Sequence, residues 1–138
     1  MWNFYLLSRF FLSMKPETKT LIVLVAEDEA LVRQLSVCEL EDAGYRVIEA
    51  ANAGQAIAIL ETGVPVDVLF TDVNMPGEMD GIRLVRLVHS RWPQIRLIVT
   101  SGRADIPETD LPDHGQFIRK PYRLSEMSEM VGRMAAAP

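Results

Sequence analysis

The sequence predicts an α/β fold, a parallel sheet of five strands with helices on both faces, and three observations carry that expectation. Five short apolar runs rich in Val, Ile and Leu recur along the chain, each closed by polar residues or by Gly and Pro. The runs alternate strictly with helix-length segments whose apolar residues return every three or four positions, which is the pattern of repeated βα units. Polar residues also stand abruptly at the ends of these runs: Glu27-Asp28, Asp72, Thr100 and Lys120. A carboxylate at the carboxyl end of a central strand sits on the rim of the sheet, where open α/β folds bind their ligands.

Leu21 to Val25 reads as the first strand, ending in Ala26 and followed by Glu27-Asp28-Glu29. Ala30 to Ala43 follows as a helix, with Leu31, Leu35 and Leu40 expected on its inner side and Gly44 as its stop. Tyr45 to Ala50 is the second strand, and Ala53 to Thr62 a helix ended by Gly63 and Pro65. The third strand starts at Val66 and stops at Asp72, after which Pro76, Gly77 and Gly81 mark a loop. Ile82, Val85, Val88 or His89, and Trp92 then repeat at helical spacing as far as Pro93. Ile95 to Thr100 is the fourth strand, punctuated by Ser101-Gly102. Arg103 to Gly115 contains Pro107, Pro112 and scattered acids, and predicts only a short or irregular helix. Gln116 to Arg119 makes the fifth strand, Lys120-Pro121 closes it, and Ser125 can cap a last helix with Met127, Val131 and Met134 inside. No Gly-x-Gly-x-x-Gly and no Gly-x-x-x-x-Gly-Lys-Ser/Thr occurs, so the flavodoxin-like strand order 2-1-3-4-5 fits best. In that order strands one and three are neighbours, and Glu27, Asp28 and Asp72 converge.

A chain of 138 residues, 49% of them apolar, holds one domain with a substantial core. We assign it to residues 18–138, behind an N-terminal apolar extension over residues 1–17. That extension carries Trp2, Phe4, Tyr5, Phe10 and Phe11, half of the aromatic residues of the protein. It lacks a basic leading region and a small-residue cleavage site, and Arg9 interrupts a run too short to span a bilayer at about 20 residues. A cytoplasmic protein without a membrane anchor is expected. The extension is read either as residues upstream of a start at Met14 or as an appended helix docking on the domain or on a second copy, which leaves a homodimer open. Net charge is −5 with both signs interspersed, which offers no footprint for direct nucleic-acid binding. The single Cys38 cannot form an intrachain disulfide and is expected to be a buried thiol.

Three carboxylates at adjoining strand ends repel one another unless some are protonated or a cation lies among them. Hard oxygen ligands with no His or Cys nearby point to Mg²⁺. With a cation there, Asp72 can use one oxygen as ligand and the other as nucleophile toward phosphorus, giving an aspartyl phosphate. The Thr100 hydroxyl and the Lys120 ammonium reach the same rim and supply what a phosphoryl group with three acceptor oxygens needs.

The apolar run into Asp72, followed by Met75-Pro76 and Asp80-Gly81, together with the other strand-end residues, resembles the response-regulator receiver family of two-component signalling over Thr20 to about Met134. Glu27 and Asp28 match the family's acidic pair, Asp72 its phosphoacceptor, Thr100 its switch hydroxyl, Lys120 its lysine and Phe117 its switch aromatic. The resemblance implies that Asp28 and Asp72 bind Mg²⁺ directly, that Asn74 adds its main-chain carbonyl, that Glu27 acts mainly through water, and that Lys120-Pro121 is cis. It further implies a phosphoacceptor signalling domain rather than an enzyme, performing only self-catalysed phosphotransfer and autodephosphorylation. The implied partners are a sensor histidine kinase or histidine phosphotransfer protein and an unidentified downstream protein target; no organic cofactor is implied. Three departures stand out: a loop from Met75 to Gly81 one residue longer than is commonest, Phe117 in place of the frequent tyrosine, and the weak segment Arg103 to Gly115. A receiver portion of a hybrid histidine kinase or transcription factor is the alternative to a stand-alone regulator. An aspartate-nucleophile phosphatase wants an acid at position 74, where this chain has Asn. An FMN carrier would meet repulsion from Glu27, Asp28 and Glu29. Asp28 viewed alone could merely cap a helix, and His89 and His114 read as structural or solvated.

Overall fold

The computed structural model describes residues 20–103 and 105–136, so the N-terminal extension lies outside the described residues. The chain runs β1 (Ile22–Ala26), α1 (Ala30–Asp42), β2 (Arg46–Ala50), α2 (Ala53–Glu61), β3 (Val68–Asp72), α3 (Gly81–Arg91), β4 (Arg96–Ser101), a 3₁₀ turn (Glu108–Asp110), β5 (Gln116–Arg119) and α4 (Leu124–Ala136). The five strands form one sheet in the order β2-β1-β3-β4-β5, and every pair is parallel. Both the fold class and the order are those expected from the sequence.

The unbroken apolar character of the central strands has its cause in the two covered faces. Every residue of β1 and β3 is buried, so neither can show the apolar-polar alternation of a half-solvated strand. Successive side chains nonetheless divide between two cores. Leu24, Leu69, Leu97 and Val99 point toward α2 and α3, where Ala56, Leu60, Leu84 and Val88 meet them. Val23, Val25, Val68, Phe70 and Ile98 point the other way, onto Leu40 of α1 and Met127, Val131 and Met134 of α4. Each fully buried Leu or Val contributes about 1.5–3 kcal/mol relative to exposure, and this double core is what fixes the strand ends in space.

Local signals start and stop the helices. Asn52 accepts from the Gln55 amide at 2.8 Å while the Gln55 side chain accepts from the Ala51 amide at 2.7 Å, a reciprocal cap at the start of α2. Asp80 accepts from the Arg83 amide at 2.9 Å and starts α3. Gly44 follows α1 with φ +98°, a left-handed position where a side chain would be strained.

Three expectations need correction. Leu31 and Leu35 of α1 are 69% and 49% exposed, and the inward stripe runs instead through Ser36 and Leu40. The reason lies at the helix start, where Arg33 is the residue turned inward, donating to the Glu27 carbonyl at 2.8 Å and to Glu49 at 3.1 Å. Cys38 is accordingly exposed rather than buried. Ser125 lies inside the first turn of α4, which begins at Leu124. The segment Arg103 to Gly115, expected to form a short or irregular helix, does so as the 3₁₀ turn, because Pro107 and Pro112 deny it a continuous set of backbone donors.

Candidate functional site

The register of the sheet delivers the polar strand ends to one rim. Ala26 lies opposite Thr71, Asp72 opposite Thr100, and Thr100 opposite Ile118, so Glu27, Asp72, Thr100 and Lys120 leave their strands at the same edge. Glu27 and Asp72 are 3% and 6% exposed, whereas Asp28 is open to solvent. One oxygen from each of Glu27, Asp28 and Asp72 falls within 4.8 Å of the others. Asp28 does not cap α1, whose cap position is Glu29 and makes no side-chain cap hydrogen bond.

Lys120 bridges the two buried carboxylates. Its Nζ donates to Glu27 Oε1 at 2.7 Å and to Asp72 Oδ2 at 2.9 Å. Burial pushes the Glu27 carboxyl above its ordinary value, against the Lys120 hydrogen bond that pulls it down. Burial would lower the Lys120 ammonium, but hydrogen bonds and charge from Glu27 and Asp72 outweigh it and hold the group above the usual lysine range. The peptide bond from Lys120 to Pro121 is cis, as the family resemblance implied.

The remaining oxygen and nitrogen partners tie two loops together. Asp72 Oδ1 accepts from the Asn74 amide at 3.1 Å, which sets the first turn of the loop after β3. The Asn74 side chain donates to Ser101 Oγ at 3.2 Å, and the same oxygen accepts from the Arg103 amide. Thr100 is 1% exposed, and its Oγ1 has no hydrogen-bond partner among the described residues. A buried hydroxyl without a partner is costly and rare, and here it stands on the strand next to Asp72. Phe117, paired in register with Val99, is half-buried against the core on the α2 and α3 side.

Gly81 is a further requirement of the site. A Cβ at this position would stand 2.0 Å from the Asp72 carbonyl oxygen, and the Gly81 amide donates to the Val73 carbonyl at 2.9 Å. The first turn of α3 is thereby pressed against the backbone of the candidate acceptor. Arg33 and Tyr122 carry no motif in the sequence that marks them, and Ser101 reads there only as the punctuation after the fourth strand. Tyr122 stacks edge-on against Phe70 with ring centroids 5.9 Å apart and lies 3.3 Å from the Ser36 hydroxyl, pinning the loop after Lys120 onto α1. Only the short spacing of Tyr122 from Lys120 could have drawn attention to it. His89 stands 3.9 Å from exposed Asp113, and His114 occupies a loop with φ +57°; neither approaches the acidic cluster.

Comparison with known proteins decides what kind of rim this is. The family model of the response regulator receiver domain matches residues 23–132. The chain belongs to the response regulator receiver domain family. Among curated relatives, the receiver protein CpdR of Brucella abortus is 33% identical over 118 residues, which cover 83% of this chain and 97% of CpdR. The sensor kinase CckA of Brucella abortus is 40% identical over 116 residues, 81% of this chain but only 12% of CckA. A receiver protein from Sinorhizobium medicae has a solved structure that superposes with a TM-score of 0.79 at 25% identity, over 86% of this chain and 97% of the other. The receiver domain of the hybrid histidine kinase CckA superposes with a TM-score of 0.72 at 29% identity, over 83% and 98% of the two chains. In this receiver domain, no helix among the described residues is long and apolar enough to cross a membrane.

Proposed function

We propose that this receiver domain, spanning residues 18–138, takes a phosphoryl group onto Asp72 from a phosphohistidine donor in the cytoplasm and relays the change to a protein-binding surface. The observation that carries the reading is the Lys120 ammonium held between two buried carboxylates, with Asp28 beside them. The donor set is made of hard oxygens in an acidic cluster, and it fits Mg²⁺. Asp28, Asp72 and the Asn74 main-chain carbonyl would hold the ion, with Glu27 acting through water. Bound there, Mg²⁺ supplies the positive charge that offsets the incoming phosphoryl oxygens.

The chain's own residues perform the transfer. An Asp72 oxygen attacks phosphorus, the new O–P bond forms as the donor's P–N bond breaks, and the imidazole leaves with the electron pair. Lys120, already within hydrogen-bond reach of Asp72, turns onto a phosphoryl oxygen. The Thr100 hydroxyl, which has no partner among the described residues before transfer, gains one afterward. The reading is tested by incubating the protein with a small phosphodonor and measuring intact mass. One phosphoryl group is expected in the presence of Mg²⁺ and none in excess chelator; equal uptake in chelator overturns it.

Movement of Thr100 toward the phosphoryl group opens space beside β4 into which the Phe117 ring turns. Phe117 has no hydroxyl to leave behind, and further burial of the ring contributes on the order of 1 kcal/mol. Thr100→Ala is therefore expected to leave Asp72 competent for labelling while weakening the response at Phe117. Fluorine NMR on labelled Phe117 checks this: the ring signal should shift on phosphorylation in the native protein and shift much less in the variant.

A further inference from the structure

Leu31 and Leu35 are the only large hydrophobic side chains exposed among the described residues. They lie four residues apart on α1, and Cys38, three residues on, continues the same exposed stripe. Beside the stripe opens a groove of about 480 Å³, mostly apolar, that runs from Val32, Leu35 and Ser36 of α1 to Tyr122 and Leu124 and reaches Lys120 of the acidic rim.

We propose that the N-terminal segment of the same chain, residues 2–12, docks over the Leu31–Leu35–Cys38 stripe and into this groove. Three facts select that occupant. Trp2, Phe4, Tyr5, Leu6, Leu7, Phe10, Phe11 and Leu12 are apolar or aromatic and match the face in chemistry. The described chain begins at Thr20, and the Leu21 carbonyl accepts from Arg46 just after α1 ends, so the segment leaves the sheet beside the last turn of α1. Residues 13–19 extended reach about 23 Å, more than the roughly 16 Å from Asp42 back along α1 to Leu31. The third fact is charge. Residues 1–19 hold Arg9, Lys15 and Lys19 against one acid, Glu17. The end of α1 carries Glu39, Glu41 and Asp42 with no base in its last turn, which is unfavourable at the negative end of the helix dipole. A basic segment running up α1 offsets that charge, and the short tether keeps its local concentration high.

Cys38 is the only cysteine and a ready probe. Its rate of reaction with a thiol reagent is measured in the full native chain and in full-length chains carrying Phe4→Ser with Phe11→Ser, or Leu31→Gln with Leu35→Gln. Docking predicts about tenfold slower reaction in the native chain than in either variant, at a rate independent of protein concentration. Both variants should keep the native far-UV circular dichroism, since Leu31 and Leu35 are exposed among the described residues, while the urea midpoint falls slightly as the docking contribution is lost. Equal rates in native and variant chains overturn the proposal, as does protection that grows with protein concentration, which means that a second copy covers the face.

Discussion

Replacing Lys120 by methionine is expected to destabilise the metal-free protein at neutral pH by about 3 kcal/mol, in the range for removing one partner of a buried ion pair. The change leaves Glu27 and Asp72, both almost wholly buried, facing one another without a cation. The sign with pH follows from both sides of the bridge. In the native protein the folded-state Lys120 value lies above the ordinary 10.5. Its stabilisation is thus complete below that value and is lost only as pH rises through the folded value. In the variant the Glu27 carboxyl, already pushed up by burial, loses the Lys120 hydrogen bond that pulled it down, so the penalty applies above its unfolded value and is relieved as pH falls and it takes a proton. Urea unfolding at pH 7 and pH 5 should show the gap to the native protein narrowing at the lower pH. Saturating Mg²⁺ should narrow it as well if the ion binds at this acidic cluster as proposed, because its charge would then offset the repulsion that the ammonium had relieved. A variant as stable as the native protein at neutral pH would show that the bridge carries no net stabilisation.

Gly81→Ala is expected to cost about 3 kcal/mol, at the upper end of overpacking penalties. The added methyl would meet the Asp72 carbonyl oxygen at 2.0 Å and the Asp72 carbonyl carbon at 2.8 Å. Backbone cannot move aside as a flexible side chain can, so the start of α3 must shift and carry the loop after β3 with it. Asn74, bonded to both Asp72 and Ser101, lies on that loop. Alanine at 81 should therefore weaken Mg²⁺ binding along with stability. Alanine at Gly77 gives a contrast, because open space surrounds its Cβ and its penalty comes only from φ +107°. Calorimetric titration with Mg²⁺ alongside urea unfolding separates the two positions.

The strands and the polar residues at their ends could be read directly from the chain because both rest on local pattern. A buried, mainly apolar run that ends in an acid announces itself without knowledge of its neighbours, as Val68-Leu69-Phe70-Thr71 does at Asp72. The inner stripe of α4 through Met127, Val131 and Met134 was equally clear, since one face of that helix is apolar and the other charged. The inward face of α1 was not, because two apolar stripes compete there. Leu31 and Leu35 belong to one, Leu40 to the other, and the choice depends on Arg33 reaching Glu27 and Glu49, which is a tertiary fact. Cys38 was misplaced by the same error. The contacts of Ser101 with Asn74 and Arg103 were hidden for a related reason: a serine after a strand reads as punctuation until the loop it holds has been folded. Gly81 looked like an ordinary loop glycine, and only the approach of α3 to the Asp72 carbonyl reveals why a side chain is excluded.

Asp72, and no other carboxylate of this acidic rim, is expected to receive the phosphoryl group. Peptide mapping of the protein after reaction with a small phosphodonor and Mg²⁺ tests it most directly, with Asp72→Asn run in parallel. The expected result is a single modified peptide containing Asp72, and no modification in the variant, whose fold should persist because asparagine keeps the size of the side chain. Full labelling of Asp72→Asn, or a modified peptide that carries Glu27 or Asp28 in place of Asp72, would contradict it.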